Sequence, residues 1–146
     1  MTDSLIIRDV EVGDLAQVLE LLSHLTSAPA LSQIELEMLH NRRVMAGVRT
    51  LVAVDPEARE IVGTASLLVE PKFTRGGKSV GHVEDVVTHP RCRGKGIGQK
   101  LLQRLVEAAK EHDCYKVILD CSDNTIAYYS KAGFRKCENQ MRLDIV

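Results

Sequence analysis

The stretch VEDVVTHPRCRGKGIGQKLLQRL, Val83–Leu105, decides the architecture. It begins as an apolar strand-like run, breaks at His89-Pro90, passes through Arg93-Gly94-Lys95-Gly96-Ile97-Gly98, and continues as an amphipathic helix. Proline has no N–H to give to a strand ladder and so ends the strand. Glycines let the backbone reach positive φ and approach a ligand closely. Several N–H groups and the positive end of a helix dipole can then point at one anion. Arg91, Arg93, Lys95, Lys100 and Arg104 surround the turn, and no acid interrupts Arg91 to Arg104. Strand, glycine turn and helix in this order predict a site for a polyanion.

Spacing separates the known phosphate loops. A Walker A loop, G-x-x-x-x-G-K-[ST], fails because Gln99 stands five residues after Gly94. A dinucleotide fingerprint, G-x-G-x-x-G, fails as well: from Gly94 and Gly96 the third position is Gln99, and from Gly96 and Gly98 it is Leu101. Arg-x-x-Gly-x-Gly, formed by Arg93, Gly96 and Gly98, does fit. A basic, glycine-containing helix start with no ligand is the plain alternative.

Outward from this stretch the chain alternates between periods. Leu5 to Arg8 reads as a first strand; Asp14 and Gln17 resemble a capping box, and Leu15, Val18, Leu19, Leu22 and Leu25 form a helical stripe. Ser32 and Glu35 make a second box, flanked by Leu31 and Leu36 as a hydrophobic staple, and Gly47 is placed to end that helix. Leu51 to Val54, a turn at Asp55-Pro56, and Ile61 to Glu70 read as a hairpin. Pro71 to Ser79 is a polar loop into a central strand, Val80 to Thr88. Ile97, Leu101, Leu102, Leu105, Ala108 and Ala109 share a helical face; a strand is expected at Lys116 to Asp120, a short helix at about Asn124 to Ala132 capped by Asp123, and terminal strands near Phe134 to Val146. The order βααβββαβαββ predicts a mixed α/β (α+β) sheet flanked by helices on both faces.

Composition narrows the function. At 146 residues and 45% hydrophobic content, one domain over residues 1–146 is expected. Lys and Arg number 19 against 20 Asp and Glu, a net charge of −1, which argues against a nucleic-acid partner. No run approaches the roughly 18 apolar residues of a membrane span, and Met1 to Val10 lacks the zones of a signal peptide. A soluble, intracellular protein with no membrane partner is expected. Cys92, Cys114, Cys121 and Cys137 form no C-x-x-C pair, so reduced thiols and no metal are expected. The last residues, Asp144-Ile145-Val146, are not an S-K-L address. The cytosol is the expected compartment, with a peroxisome-like organelle as the alternative.

The Arg93, Gly96, Gly98 loop resembles the acetyl-CoA pyrophosphate loop of the GNAT N-acetyltransferase superfamily. Asn124, Tyr128, Tyr129 and Lys131-Ala132-Gly133-Phe134 are similar to that superfamily's N-x-x-x-Y and Y-x-K-x-G-F endings. Asn124 lies one place early for alignment on Tyr129, where Thr125 sits. Within the superfamily, Gly81-His82-Val83-Glu84-Asp85-Val86-Val87 and Cys114-Tyr115-Lys116-Val117-Ile118-Leu119-Asp120-Cys121 resemble the glucosamine-6-phosphate N-acetyltransferase family over Leu5 to Met141. The resemblance implies the GNAT acyl-CoA N-acyltransferase fold and an acetyl-CoA-dependent N-acetyltransferase without a metal. It also implies transfer to the 2-amino group of D-glucosamine 6-phosphate, a step toward UDP-N-acetylglucosamine, by a homodimer with shared active sites.

The same resemblance assigns residues. Val86, Val87 and Thr88 would hold the pantetheine arm like an added strand; Arg93, Gly94, Lys95, Gly96, Ile97, Gly98 and Gln99 would hold the pyrophosphate, with Asn124 and Tyr129 also on the cofactor. Glu84 and Asp85 would hold sugar hydroxyls and the amine, and Asp120 would orient the amine or accept its proton. Lys72, Arg75, Tyr115 and Lys116 would receive the sugar phosphate or ring, and Thr26 would add a hydroxyl contact. A phenol near the thioester sulfur can donate a proton as the C–S bond breaks. Tyr129 is the candidate by its offset from Gly133-Phe134, and Tyr128 is the register alternative. One feature is legible without the family, and another departs from it. Glu84-Asp85 inside an apolar strand predicts at least one carboxylate toward a buried face, costly unless it serves a site. Family members carry a basic residue three places after the Met of the last strand; here that place is Asp144, and Arg142 lies one pleat away. The cysteines, His82 and His89 are not assigned as nucleophiles, because no Cys–His spacing supports one; the resemblance implies direct attack in a ternary complex.

Overall fold

The structure, a computed structural model, describes residues 4–146. Among them the order is β1 (Ile6–Asp9), α1 (Leu15–Leu22), α2 (Gln33–Met45), β2 (Val48–Asp55), β3 (Glu60–Pro71), β4 (Ser79–Thr88), α3 (Ile97–Glu111), β5 (Cys114–Ile118) and α4 (Ile126–Ser130). The five strands form one sheet in chain order, β1-β2-β3-β4-β5. The first four are antiparallel neighbours; β4 and β5 run parallel, joined by α3 as the crossover.

The two faces of the sheet carry different layers. On one, the buried stripe of α3 (Ile97, Leu101, Leu102, Leu105, Ala108 and Ala109) packs on Leu51, Ala65, Leu67 and Val83, and Tyr128 and Tyr129 of α4 join at its margin. Leu101, Leu102 and Leu105 are wholly buried, each worth about 1.5–3 kcal/mol of transfer free energy. On the other face Val18 and Leu21 of α1 meet Val52, Ile61 and Val87. The expected hairpin, helices on both faces and the α3 stripe are all present.

Several expectations are corrected. Asp14 and Gln17 do not cap α1: the Asp14 carboxylate instead accepts from the Glu11 N–H at 2.7 Å and from both terminal nitrogens of Arg8, at 2.6 and 3.1 Å. A buried carboxylate is satisfied better by a guanidinium than by a helix start. The Ser32–Glu35 box is formed, with Glu35 N–H donating to Ser32 Oγ at 3.2 Å and Ser32 N–H to Glu35 Oε2 at 2.8 Å. Strand β5 spans Cys114–Ile118 rather than 116–120, because its pairing with β4 starts at Ser79↔Cys114 and ends at His82↔Ile118. Asp123 is the first residue of a short 3-10 turn, not a cap; Ser122 precedes it, and α4 follows from Ile126. The terminal strands are absent: among the described residues nothing after α4 is a strand. The alternating Met141, Leu143 and Ile145 are 91%, 84% and 85% exposed. A period of two makes a strand only where a sheet edge receives it.

Candidate functional site

Strand β4 is paired on both sides only over its first half. Its partner on one side, β5, is engaged by Ser79, Val80, Gly81 and His82; from Val83 to Thr88 no strand among the described residues lies beside that edge. On the other side the register with β3 jumps from Ser66↔Glu84 to Thr64↔Val87, so Asp85 and Val86 stand together opposite Ala65. This is a β-bulge, with Asp85 at φ +53. The bulge re-aims side chains. Val83 and Val86 face the α3 layer, whereas Glu84 lies opposite Ser66, Asp85 lines the cleft with Ser66, and Val87 packs with α1. An open backbone edge is a template for an extended ligand arm, as Val86, Val87 and Thr88 were expected to be.

Across the α3 face the open edge leads to the glycine turn. Gly94 and Gly96 have φ of +81 and +76, with open space where a side chain would stand. The helix itself leaves the N–H groups of Ile97, Gly98 and Gln99 without partners, and the dipole adds positive potential there. Arg93 and Lys95 are exposed beside the turn, while Arg91 is engaged by Glu60. These features fit a pyrophosphate on a pantetheine arm lying along β4. The turn is tied to α4: Gln99 Nε2 donates to the Tyr128 carbonyl at 2.8 Å, and the Tyr128 hydroxyl occupies the space that a Cβ on Gly98 would need. Tyr129 packs edge-to-face on Phe134, with centroids 6.3 Å apart. Burial, then the neighbouring Tyr128 and Cys121, holds its phenol above the usual range, so it is a protonated donor at neutral pH. Asn124 sits exposed in the 3-10 turn before α4.

The opposite face gathers the acids. Both Glu84 and Asp85 are exposed, which corrects the expectation of a carboxylate turned to a buried face: the bulge carries Asp85 to the open cleft instead of the α3 core. Although Glu84 reaches solvent, the protein around it strips part of its hydration, the largest cause of a carboxyl held above its ordinary range. Asp85 and Asp120 add negative potential and His82 opposes them. These acids do not converge as metal ligands among the described residues. Asp120 lies just past β5, where its Oδ2 accepts from Gln140 Nε2 at 3.1 Å. Thr26 lines a groove with Asp85, Leu19, Leu22 and Leu31.

The basic residues form two groups. The Arg75 guanidinium lies 4.9 Å over the Tyr115 ring and Lys116 Nζ 5.6 Å from it, so three expected phosphate ligands share one corner. Lys72 Nζ is held 3.1 Å from Glu70 Oε2, and Glu70 Oε1 meets His82 Nε2 at 2.9 Å. Glu70, His82 and Gln140 have no role in the sequence reading. Strand alternation places Glu70 on the face of Ser66 and Leu68, a signal that was available; the approach of Gln140 to Asp120 was not. Arg142 pairs with Asp144 at 2.7 Å in the exposed tail.

A sequence model of the acetyltransferase (GNAT) family matches residues 15–134. The chain is 50% identical over 147 residues to a glucosamine 6-phosphate N-acetyltransferase of Trypanosoma brucei brucei, covering 99% of this chain and 100% of the relative. It is 34% identical to the glucosamine 6-phosphate N-acetyltransferase of Arabidopsis thaliana, with 97% of each covered. The crystal structure of a Trypanosoma brucei acetyltransferase superposes with a TM-score of 0.94 at 50% identity, over 97% of this chain and 99% of that one. The open edge of β4, the glycine turn at the start of α3 and these likenesses agree: the chain belongs to the acetyltransferase (GNAT) family.

Proposed function

We propose that this chain transfers the acetyl group of acetyl-CoA to the 2-amino group of D-glucosamine 6-phosphate, giving N-acetyl-D-glucosamine 6-phosphate and CoA. The observation that carries the reading is the division of labour across β4. Its unpaired edge runs between a glycine turn on the α3 face and carboxylates on the α1 face, so donor and acceptor meet without crossing. The relatives' substrate supports the acceptor's identity.

Acetyl-CoA supplies an activated acyl thioester. Val86, Val87 and Thr88 hold its arm through their backbone, and residues Arg93 to Gln99 its pyrophosphate. Glu84 and Asp85 hold the sugar and its nitrogen, and Asp120 takes the proton that the amine must lose to become a nucleophile. As the C–N bond forms and the C–S bond breaks, the Tyr129 hydroxyl gives a proton to the departing sulfur, and the proton that the nitrogen sheds in becoming an amide restores the phenol. Arg75, Tyr115, Lys116 and Lys72 receive the phosphate and ring, and Thr26 a hydroxyl.

The active form is a homodimer with shared sites. The exposed Met141, Leu143, Ile145 and Val146 support this, since an alternating apolar tail is stable only against another surface. The enzyme works in the cytosol on the route to UDP-N-acetylglucosamine. The test is thiol release with acetyl-CoA and a panel of amino sugars, phosphorylated and not, alongside light scattering for the dimer. Release with D-glucosamine 6-phosphate is expected. Activity on unphosphorylated glucosamine but not on its 6-phosphate overturns the acceptor.

A further inference from the structure

Glu70, near the end of β3, holds two side chains with separate oxygens: Oε2 takes Lys72 Nζ at 3.1 Å, and Oε1 meets His82 Nε2 at 2.9 Å. Both contacts pull its carboxyl below the usual range, His82 more than Lys72. The three side chains belong to the α1 face, where Ser66, Leu68 and Glu70 alternate along β3 opposite Glu84, His82 and Val80 of β4. His82 therefore stands two residues from Glu84 on the same face, close enough to influence its titration. The backbone of Lys72 is also pinned, its N–H donating to the Lys78 carbonyl at 3.2 Å across the loop that carries Arg75.

The cluster does little for folding. Side-chain exposures are 37% and 43% for Lys72 and Glu70, and 25% for His82, and pairs this open contribute little to stability. What the carboxylate does is restrict motion. A lysine side chain is long and flexible, and ordering it on binding lowers affinity about three- to tenfold. An ammonium has three donors, so one bond to Glu70 leaves two for a phosphate. From this geometry we infer that Glu70 is a positioning residue for the acceptor: one carboxylate, itself fixed by His82, pre-orders Lys72 for the sugar phosphate. The inference rests on the acceptor proposed above, and it makes Glu70 a determinant of selectivity for phosphorylated over unphosphorylated amino sugar.

The experiment compares wild type, Glu70→Gln, Glu70→Asp, Lys72→Met and the Glu70→Gln/Lys72→Met pair, by steady-state kinetics with saturating acetyl-CoA. D-glucosamine 6-phosphate and D-glucosamine are the acceptors. Glu70→Gln is expected to raise KM for the 6-phosphate about three- to tenfold, with kcat within about twofold. It leaves kcat/KM for glucosamine and KM for acetyl-CoA unchanged. Glu70→Asp, which keeps the charge but is too short to span both partners, shows the same rise. The pair is no worse than Lys72→Met alone, because the two residues act as one unit. An unchanged KM for the 6-phosphate in both Glu70 variants overturns the inference. So does a loss shared equally by glucosamine, or a loss that adds in full to that of Lys72→Met. A wild-type protein inactive on the 6-phosphate but active on another amine rejects the acceptor itself, and this inference with it.

Discussion

Glu84 and Asp85 are adjacent in sequence and present their carboxylates to the same face of the sheet, because the bulge at Asp85 (φ +53) cancels the alternation between them. A regular strand would have sent Asp85 into the α3 core among Val83 and Val86. Loss of hydration at the strand, and after it the charges of Asp85 and Asp120, leaves Glu84 easier to protonate than an ordinary carboxylate.

Glu84 should therefore titrate above the roughly 4.3 of a free glutamate, and Asp85→Asn should bring its titration down, read by carboxyl carbon NMR. The raised value has a consequence for stability. A native state that binds the proton more tightly than the unfolded chain is favoured at low pH, and that advantage is lost as pH rises through the folded pKa. Glu84→Gln should accordingly raise Tm at pH 7 and leave it unchanged near pH 3. An equal or lower Tm at pH 7 would contradict the electrostatic account.

Arg8 and Asp14 work in the opposite sense. The bond from Arg8 is the largest cause holding the Asp14 carboxyl below its ordinary range, with the Glu11 N–H helping. Stability from this pair is full above the unfolded pKa of about 3.9 and disappears as pH falls through the folded value. Asp14→Asn should cost about 1–3 kcal/mol at neutral pH and nothing in strong acid. Urea titrations at the two pH values measure it; a cost that persists in acid would point to packing instead.

Gly98 has no room for a methyl group because the Tyr128 hydroxyl fills that place. Gly98→Ala should push α4 off the glycine turn and weaken acetyl-CoA binding about five- to 150-fold, the size of an overpacking penalty of about 1–3 kcal/mol. Adding Tyr128→Phe removes the obstructing oxygen and should recover part of the loss. Calorimetry on the four members of this cycle decides, and purely additive effects would exclude the contact as the cause.

The Tyr129 hydroxyl, a protonated donor at neutral pH that burial holds further above its ordinary range, should be dispensable for holding acetyl-CoA but not for the chemical step. Tyr129→Phe is expected to lower kcat by at least about tenfold with little change in acetyl-CoA affinity. If Tyr128→Phe shows that loss and Tyr129→Phe does not, the roles of the two tyrosines are exchanged.

Much of this could be read along the chain, for reasons that are local. The stripe from Ile97 to Ala109 repeats at helical spacing, the Ser32–Glu35 box is closed by side chains three residues apart, and the glycine turn announces itself by composition. Capping, periodicity and turn chemistry depend on near neighbours, which a sequence displays directly. The Asp14–Gln17 box failed for the same reason in reverse: a stronger partner, Arg8, arrives from the neighbouring strand. The terminal strands failed because alternation at Met141, Leu143 and Ile145 states what a strand needs without supplying the edge to pair with.

The amino-acid order by itself determined the family and the helix that begins at the glycine turn. Tertiary structure alone decided that β4 parts from β5 after His82, that its bulge turns Glu84 and Asp85 to one face, and that Glu70 joins Lys72 to His82. Each of these depends on the register between strands. Register is a property of pairs of distant segments, set by how two faces pack at once, and no single stretch of chain encodes it.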